Sequence, residues 1–162
     1  MNMKRFLTTL AICLVAVVAM AADSANPSVF QMRLVVDDPS ADSEQLICQK
    51  TNKETGQVTV EKLNVEKKVL LDRTALKSAV AAKGWQGHWL VDFQLTPDGT
   101  KQFAEITGRN IGRRLSIVID GRLITAPMIQ SSITGGKGQI TGTFTKQEAK
   151  DLAAKINKVS RR

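Results

Sequence analysis

Leu115-Ser116-Ile117-Val118-Ile119 runs directly into Asp120-Gly121. A run so apolar has no side to turn toward water, which predicts a central strand covered on both faces. Asp-Gly tolerates positive φ at both central positions of a two-residue turn, so the chain must reverse there into a hairpin. The return strand is predicted over Arg122–Ile129. Pro127 has no N–H to give a ladder, which places this strand at an edge or a bulge. A strand buried on both sides constrains the rest of the chain, because other segments must supply its covers.

The flanking sequence supplies candidates. Trp89, Val91, Phe93 and Leu95 alternate with Leu90, Asp92 and Gln94, the period of a strand with one face in the core. Thr96-Pro97 is an N-cap followed by a proline at the first helical position. A helix is predicted from Pro97 to Gly112, anchored by Phe103, Ile106 and Ile111. Gly135-Gly136-Lys137-Gly138 reads as a flexible turn, and Gln139–Phe144 as another alternating strand. Thr145 and Glu148 have capping-box spacing, and Ala149, Leu152, Ala153 and Ile156 form the apolar stripe of a last helix. The resulting order, β-α-β-β-β-α, predicts an α+β two-layer sandwich, a mainly antiparallel sheet with helices packed on one face.

The preceding half gives weaker signals. Phe30, Met32, Leu34 and Val36 alternate as a half-buried strand that Asp37-Asp38-Pro39-Ser40 ends. Gln45–Gln49 and Gln57–Leu63 read as short strands around a polar loop, Thr51–Gly56. Val69–Leu71 is a short apolar piece. Asp72–Lys83 is rich in helix formers (Ala75, Leu76, Lys77, Ala79, Ala81, Ala82), so a helix stopped by Gly84 is predicted.

The N-terminus reads as an export signal. Lys4 and Arg5 precede the apolar run Phe6–Val18, and Ala19-Met20-Ala21 is a small-x-small cleavage pattern. Residues 1–21 are therefore expected to be a signal peptide, 22–28 a linker and 29–162 a single domain, located in the periplasm. Two other readings stand beside this one. Retained, Phe6–Ala22 could anchor the chain in the inner membrane; alternatively, Leu10-Ala11-Ile12-Cys13 resembles a lipobox. Membrane contact is expected only if the signal segment is retained or lipidated.

Composition narrows the chemistry. The chain carries net charge +8, no Tyr and only 4% aromatic residues. Export and the scarcity of stacking rings argue against nucleic acid as a partner. His88 is the only histidine, which excludes multi-His zinc motifs. Cys48 is alone after cleavage and reads as a buried thiol, with intermolecular pairing as the alternative. A Cys48/His88 dyad would still need an orienting group. Lys137 is followed by Gly138, where a phosphate loop needs Ser or Thr. No catalytic residue, cofactor or metal site is expected. Arg109, Arg113 and Arg114 cluster around the end of the predicted Pro97 helix, where positive charge complements the helix dipole. Arg109 and Arg113, four apart, could share a face toward an acidic partner. Trp85, between Gly84 and Gly87, caps the core or stands exposed beside a strand, and Trp89 is expected in the core.

The stretch FAEITGRNIGRRLSIVIDGRLITAPMIQSSITGGKGQITGTFTKQEAKDLAAKI resembles the head of the first periplasmic domain of SecD, in the SecDF family of preprotein translocase subunits. The similarity is continuous over 89–157. It rests on Arg113-Arg114 before the strand and Asp-Gly turn, on Thr125-Ala126-Pro127, and on Ile133-Thr134-Gly135-Gly136 followed by Gln139–Phe144 and Glu148-Ala149. The resemblance implies the head fold and contact with an emerging polypeptide chain. SecD belongs to a proton-driven membrane machine, and such a motor needs ionisable groups inside a membrane, which this sequence does not offer. The expected function is a non-catalytic periplasmic binding module for polypeptide or an envelope protein, linked to protein export. The alternative is a structural adaptor that docks on an envelope complex through its basic face. Candidate contact residues are Arg109, Arg113, Arg114, Leu123, Thr125, Pro127, Gly135, Gly136, Lys137 and Gly138.

Overall fold

The structure is a computed structural model that describes residues 30–51, 55–84 and 87–158. The predicted signal peptide, the linker, Cys13, Trp85, Arg161 and Arg162 lie outside these described residues. In chain order the elements are β1 (Phe30–Val36), β2 (Ser43–Thr51), β3 (Val58–Glu66), β4 (Leu71–Asp72), a 3₁₀ turn (Arg73–Ala75), β5 (Leu76–Lys83), β6 (Trp89–Leu95), α1 (Pro97–Arg109), β7 (Leu115–Ile119), β8 (Arg122–Thr125), β9 (Lys137–Phe144) and α2 (Lys146–Lys158). They build an α+β sandwich with two antiparallel sheets. One has the order β2-β3-β1-β7-β8 with β4 beside β1, the other β5-β6-β9.

β7 is the covered central strand that its sequence predicts, with all five residues buried. Leu115, Ile117 and Ile119 join Phe30, Met32 and Leu34 of β1 in the main core. Val118 points the other way, into a second, smaller core. Asp120 and Gly121 take φ values of 49° and 73°, the left-handed pair a two-residue hairpin turn requires. The regular return strand stops at Thr125. Beyond Pro127 the chain pairs again, with Leu115 N–H donating to Pro127 O (2.9 Å) and Ile129 N–H to Arg113 O (2.9 Å). Arg122–Ile129 is therefore two paired pieces around a proline interruption.

The main core fills the space between β1–β7, the β5-β6-β9 sheet and α2. Phe30 and Phe93 meet as tilted rings with centroids 6.1 Å apart. Val91, Ile140 and the stripe Ala149, Leu152, Ala153 and Ile156 complete the packing. Trp89 is half-buried at its margin, with Lys146 Nζ 5.5 Å above the ring. The caps form as the sequence predicts. Thr96 Oγ1 accepts from Gly99 N–H (3.0 Å); Thr145 Oγ1 accepts from Glu148 N–H (3.2 Å), and Glu148 Oε2 accepts from Thr145 N–H (2.6 Å).

The predicted Asp72–Lys83 helix is overturned. Only Arg73–Ala75 turns helically, and Leu76–Lys83 is a strand paired with β6 from Leu76↔Leu95 to Lys83↔Trp89. Helix propensity is worth a few tenths of a kcal/mol per residue, and a complete ladder with buried Leu76 and Ala79 outweighs it. The alanines let α2 lie close. Asn157 acts as a surrogate strand there, its Oδ1 accepting from Ala79 N–H (2.9 Å) and its Nδ2 donating to Ala79 O (2.7 Å). Arg73 reinforces the joint by donating to Ile156 O, near the carbonyl end of α2, and to Leu76 O. Burial lowers the pKa of this guanidinium from its ordinary value.

The second correction concerns α1, which ends at Arg109 and not at Gly112. Asn110 caps it, its Nδ2 donating to Ile106 O (2.8 Å), and Gly112 turns the chain away at φ 84°. β2 and β3 exceed their predicted lengths and pair from Ser43↔Glu66 to Thr51↔Val58.

Candidate functional site: an apolar cleft behind β8

Two concavities stand out. One, of about 430 Å³, lies on the outer face of the β5-β6-β9 sheet, where Ser78, Asp92, Gln94, Lys137 and Gln139 line it beside Val80 and Phe93. The other, of about 230 Å³, is apolar at its floor, where Met32, Phe93, Phe103, Leu115, Ile117 and Ile129 converge. Pro127, Met128, Gln130, Ser131 and Ile133 form one wall, and Gly138 and Gln139 of β9 another. An apolar floor with a few polar groups at the rim is the usual construction of a binding cleft, so the second is the candidate site.

The wall of this cleft is a strap held at both ends. At residues 127–129 it pairs with the chain just before β7. At its far end, Thr107 of α1 donates its hydroxyl to Phe103 O (2.7 Å) and accepts Ile133 N–H (2.9 Å). Ser132 Oγ donates to Ala104 O (3.0 Å). Within the first anchor Met128 is 54% exposed, and Ile133 is 38% exposed at the α1 end. Large apolar side chains kept in water beside an apolar cleft are what a binding surface offers.

A family model described as SecDF, P1 head subdomain, matches residues 44–160. The chain belongs to this family. Among curated relatives, the protein translocase subunit SecD of Sebaldella termitidis is 44% identical over 84 residues, covering 52% of this chain and 21% of that protein. The SecD of Rickettsia typhi is 46% identical over 89 residues, covering 55% of this chain and 17% of that protein. The chain thus corresponds to about a fifth of the length of these relatives. A solved structure of SecDF, described as a membrane component that enhances protein export, superposes with TM-score 0.61 at 31% identity, over 80% of this chain and 61% of that one. SecDF in its super-membrane-facing form gives 0.62 at 30% identity, over 80% of this chain and 18% of that one.

Within this SecDF head the predicted contact residues separate. Pro127 and Gly138 both line the cleft. Thr125 is half-buried, and Leu123 is 4% exposed inside the second core, so its side chain has no surface to offer. The predicted flexible turn is also corrected. Lys137 and Gly138 belong to β9, and Gly136 is buried at φ 64° against Thr100, while Gly135 is exposed. A Cβ on Gly138 would fall 2.3 Å from the Phe93 ring, so this glycine lets β9 pass over the aromatic floor.

The arginines do not form one face, because the helix ends before Arg113. Arg109 projects into solvent with a loose partner, Glu105, at 3.9 Å. Arg113 pairs with Glu66 (3.1 Å) and Arg114 with Glu61 (2.7 Å), both tying down the β2–β3 hairpin. Cys48 is buried on β2, with Sγ 3.5 Å from Ile124 O, while His88 is exposed in the β5–β6 connection. Among the described residues no three His, Cys, Asp or Glu side chains gather as a metal site. Nor is any described helix long and apolar enough to cross a membrane.

Sequence reading missed Phe103, Thr107, Met128 and Ile133 as site residues. One signal was available: Thr107 is a polar residue at the helical spacing of the Phe103–Ile111 apolar anchors, the position from which it holds the strap.

Proposed function

We propose that this head is a non-catalytic periplasmic module that binds extended polypeptide during protein export. The observation that carries the reading is the apolar cleft, with Met128 and Ile133 exposed on its rim. An unfolded chain offers spaced apolar side chains and unpaired backbone groups. A cleft between a strap and the edge strand β9 can take both, the first in its floor and the second by main-chain pairing. Kinship with SecD, a protein translocase subunit, and with SecDF, which enhances protein export, supports the same reading. The adaptor alternative is weakened because Arg113 and Arg114 are already paired with Glu66 and Glu61 of the same chain.

The test is binding of a panel of unfolded peptides to the purified domain. Weak binding with broad preference is expected, reduced about tenfold or more by Met128→Asp or Ile133→Asp, since each sets a charge at the mouth of an apolar site. Arg109→Glu should leave it unchanged. Saturable binding to one folded partner with no peptide signal would transfer the function to the adaptor reading.

A further inference from the structure

The long β2–β3 hairpin is joined to its sheet by a short ladder. β3 pairs with β1 only at Val35↔Val65 and Val36↔Asn64, while nine residue pairs bind β2 to β3. Val65 is the only fully buried residue of β3. From β2, Cys48 enters the second core, where it meets Val118, Leu123 and Ala126 of the main sheet. Ile47 and Val60 stay exposed on the other side. A unit with this little buried apolar surface and so few ladder bonds to its neighbour belongs to the low-stability end of a fold.

Leu46 and Leu63 add partly buried contacts to this small core, and charge adds further attachment. Arg33 of β1 donates to Glu66 O and reaches Glu44 of β2 at 2.6 Å. Arg113 holds Glu66, and Arg114 holds Glu61, on β3. Each of these ion pairs joins a residue of the β1–β7 body to a residue of the hairpin. Their carboxylates keep between about a quarter and a half of their exposure, so dissolved salt reaches them.

We propose that the β2–β3 hairpin is an ionically latched lid. It opens as a unit while the main core stays folded, and it uncovers a second apolar surface made by Val118, Leu123 and Ala126. The turn Asp37–Asp42 and the connection Lys67–Leu70 are its hinges, held together by Lys67 N–H to Asp42 O and Lys67 Nζ to Ala41 O. This inference is independent of the cleft behind β8.

Cys48 is the reporter, since its thiol is 1% exposed beneath the closed lid. In the full chain carrying Cys13→Ser, modification of Cys48 by N-ethylmaleimide in native buffer reads lid opening directly. Hydrogen exchange at Val91 and Ile117 reads opening of the main core. The lid predicts that Cys48 reacts faster than those amides open, with a shallower urea dependence and a rate that rises with salt. Combining Glu44→Gln, Glu61→Gln and Glu66→Gln should accelerate modification about tenfold while exchange in the main core hardly changes. If Cys48 reacts only as fast as Val91 and Ile117 exchange, with the same urea slope, the hairpin opens only by global unfolding and the proposal fails. A rate that ignores both salt and the three substitutions overturns the ionic latch.

Discussion

Between β1–β7, the β5-β6-β9 sheet and α2, twenty buried apolar side chains form one cluster among the described residues; where the β2–β3 hairpin meets its sheet only four do, one of them the hairpin's own Cys48. The large cluster draws on eight strands or helices and holds by area, a contribution without direction that grows with every methylene removed from water. The small one is completed by Arg–Glu pairs across its rim, which are directional, partly solvated and weak individually. One domain can therefore contain a rigid platform and an attachment that yields first. Where packing is extensive, single polar contacts tune the structure. Where packing is thin, they hold it.

Phe30→Ala should cause the largest loss, since a fully buried ring is removed from the platform and its Phe93 partner is left facing a void. The expected cost is about 3–5 kcal/mol, read as a lower urea midpoint for the whole domain. A cost below about 1 kcal/mol would erase the distinction between the two cores.

Leu123→Ala strikes the small core. About 2–3 kcal/mol is expected, at the low end for such a truncation, because the thinly attached hairpin can settle into the space. The loss should register at Cys48 before it registers in global unfolding. Equal effects on both would mean the cores behave as one.

Gly138→Ala sharpens the comparison within the platform. Its new Cβ would press on the Phe93 ring, costing about 1–2 kcal/mol and narrowing the cleft. Peptide affinity should fall with it, while Cys48 modification stays at the parental rate. Unchanged stability and affinity would show that β9 has room there.

The half of the chain from Trp89 onward was legible because its signals are local and agree with one another. The Asp120-Gly121 turn, the Thr96-Pro97 cap and the Thr145/Glu148 box each act within four residues, and all appear in the structure. The cleft was half legible. Pro127 and Gly138 stood out by residue type, but the floor draws on β1, β6, α1 and β7, and no short window of sequence contains that convergence. Glycine identity also misled: Gly136 and Gly138 read as mobility, yet each is small because another side chain, Thr100 or Phe93, lies against it.

By itself the sequence determined the β-α-β-β-β-α order, the buried central strand, the ends capped by side chains and the family. These depend on hydrophobic period and on contacts between near neighbours, whose energies are nearly independent of the rest of the chain. Tertiary structure alone decided that Leu76–Lys83 is a strand and that Arg113 and Arg114 serve the hairpin. The strand exists because β6 offers a ladder and Asn157, 78 residues from Ala79, closes its outer edge. The arginines find Glu66 and Glu61 at separations of 47 and 53 residues. Such partners meet only after the chain has collapsed, and once they meet, their bonds outweigh the small local preferences that pointed elsewhere.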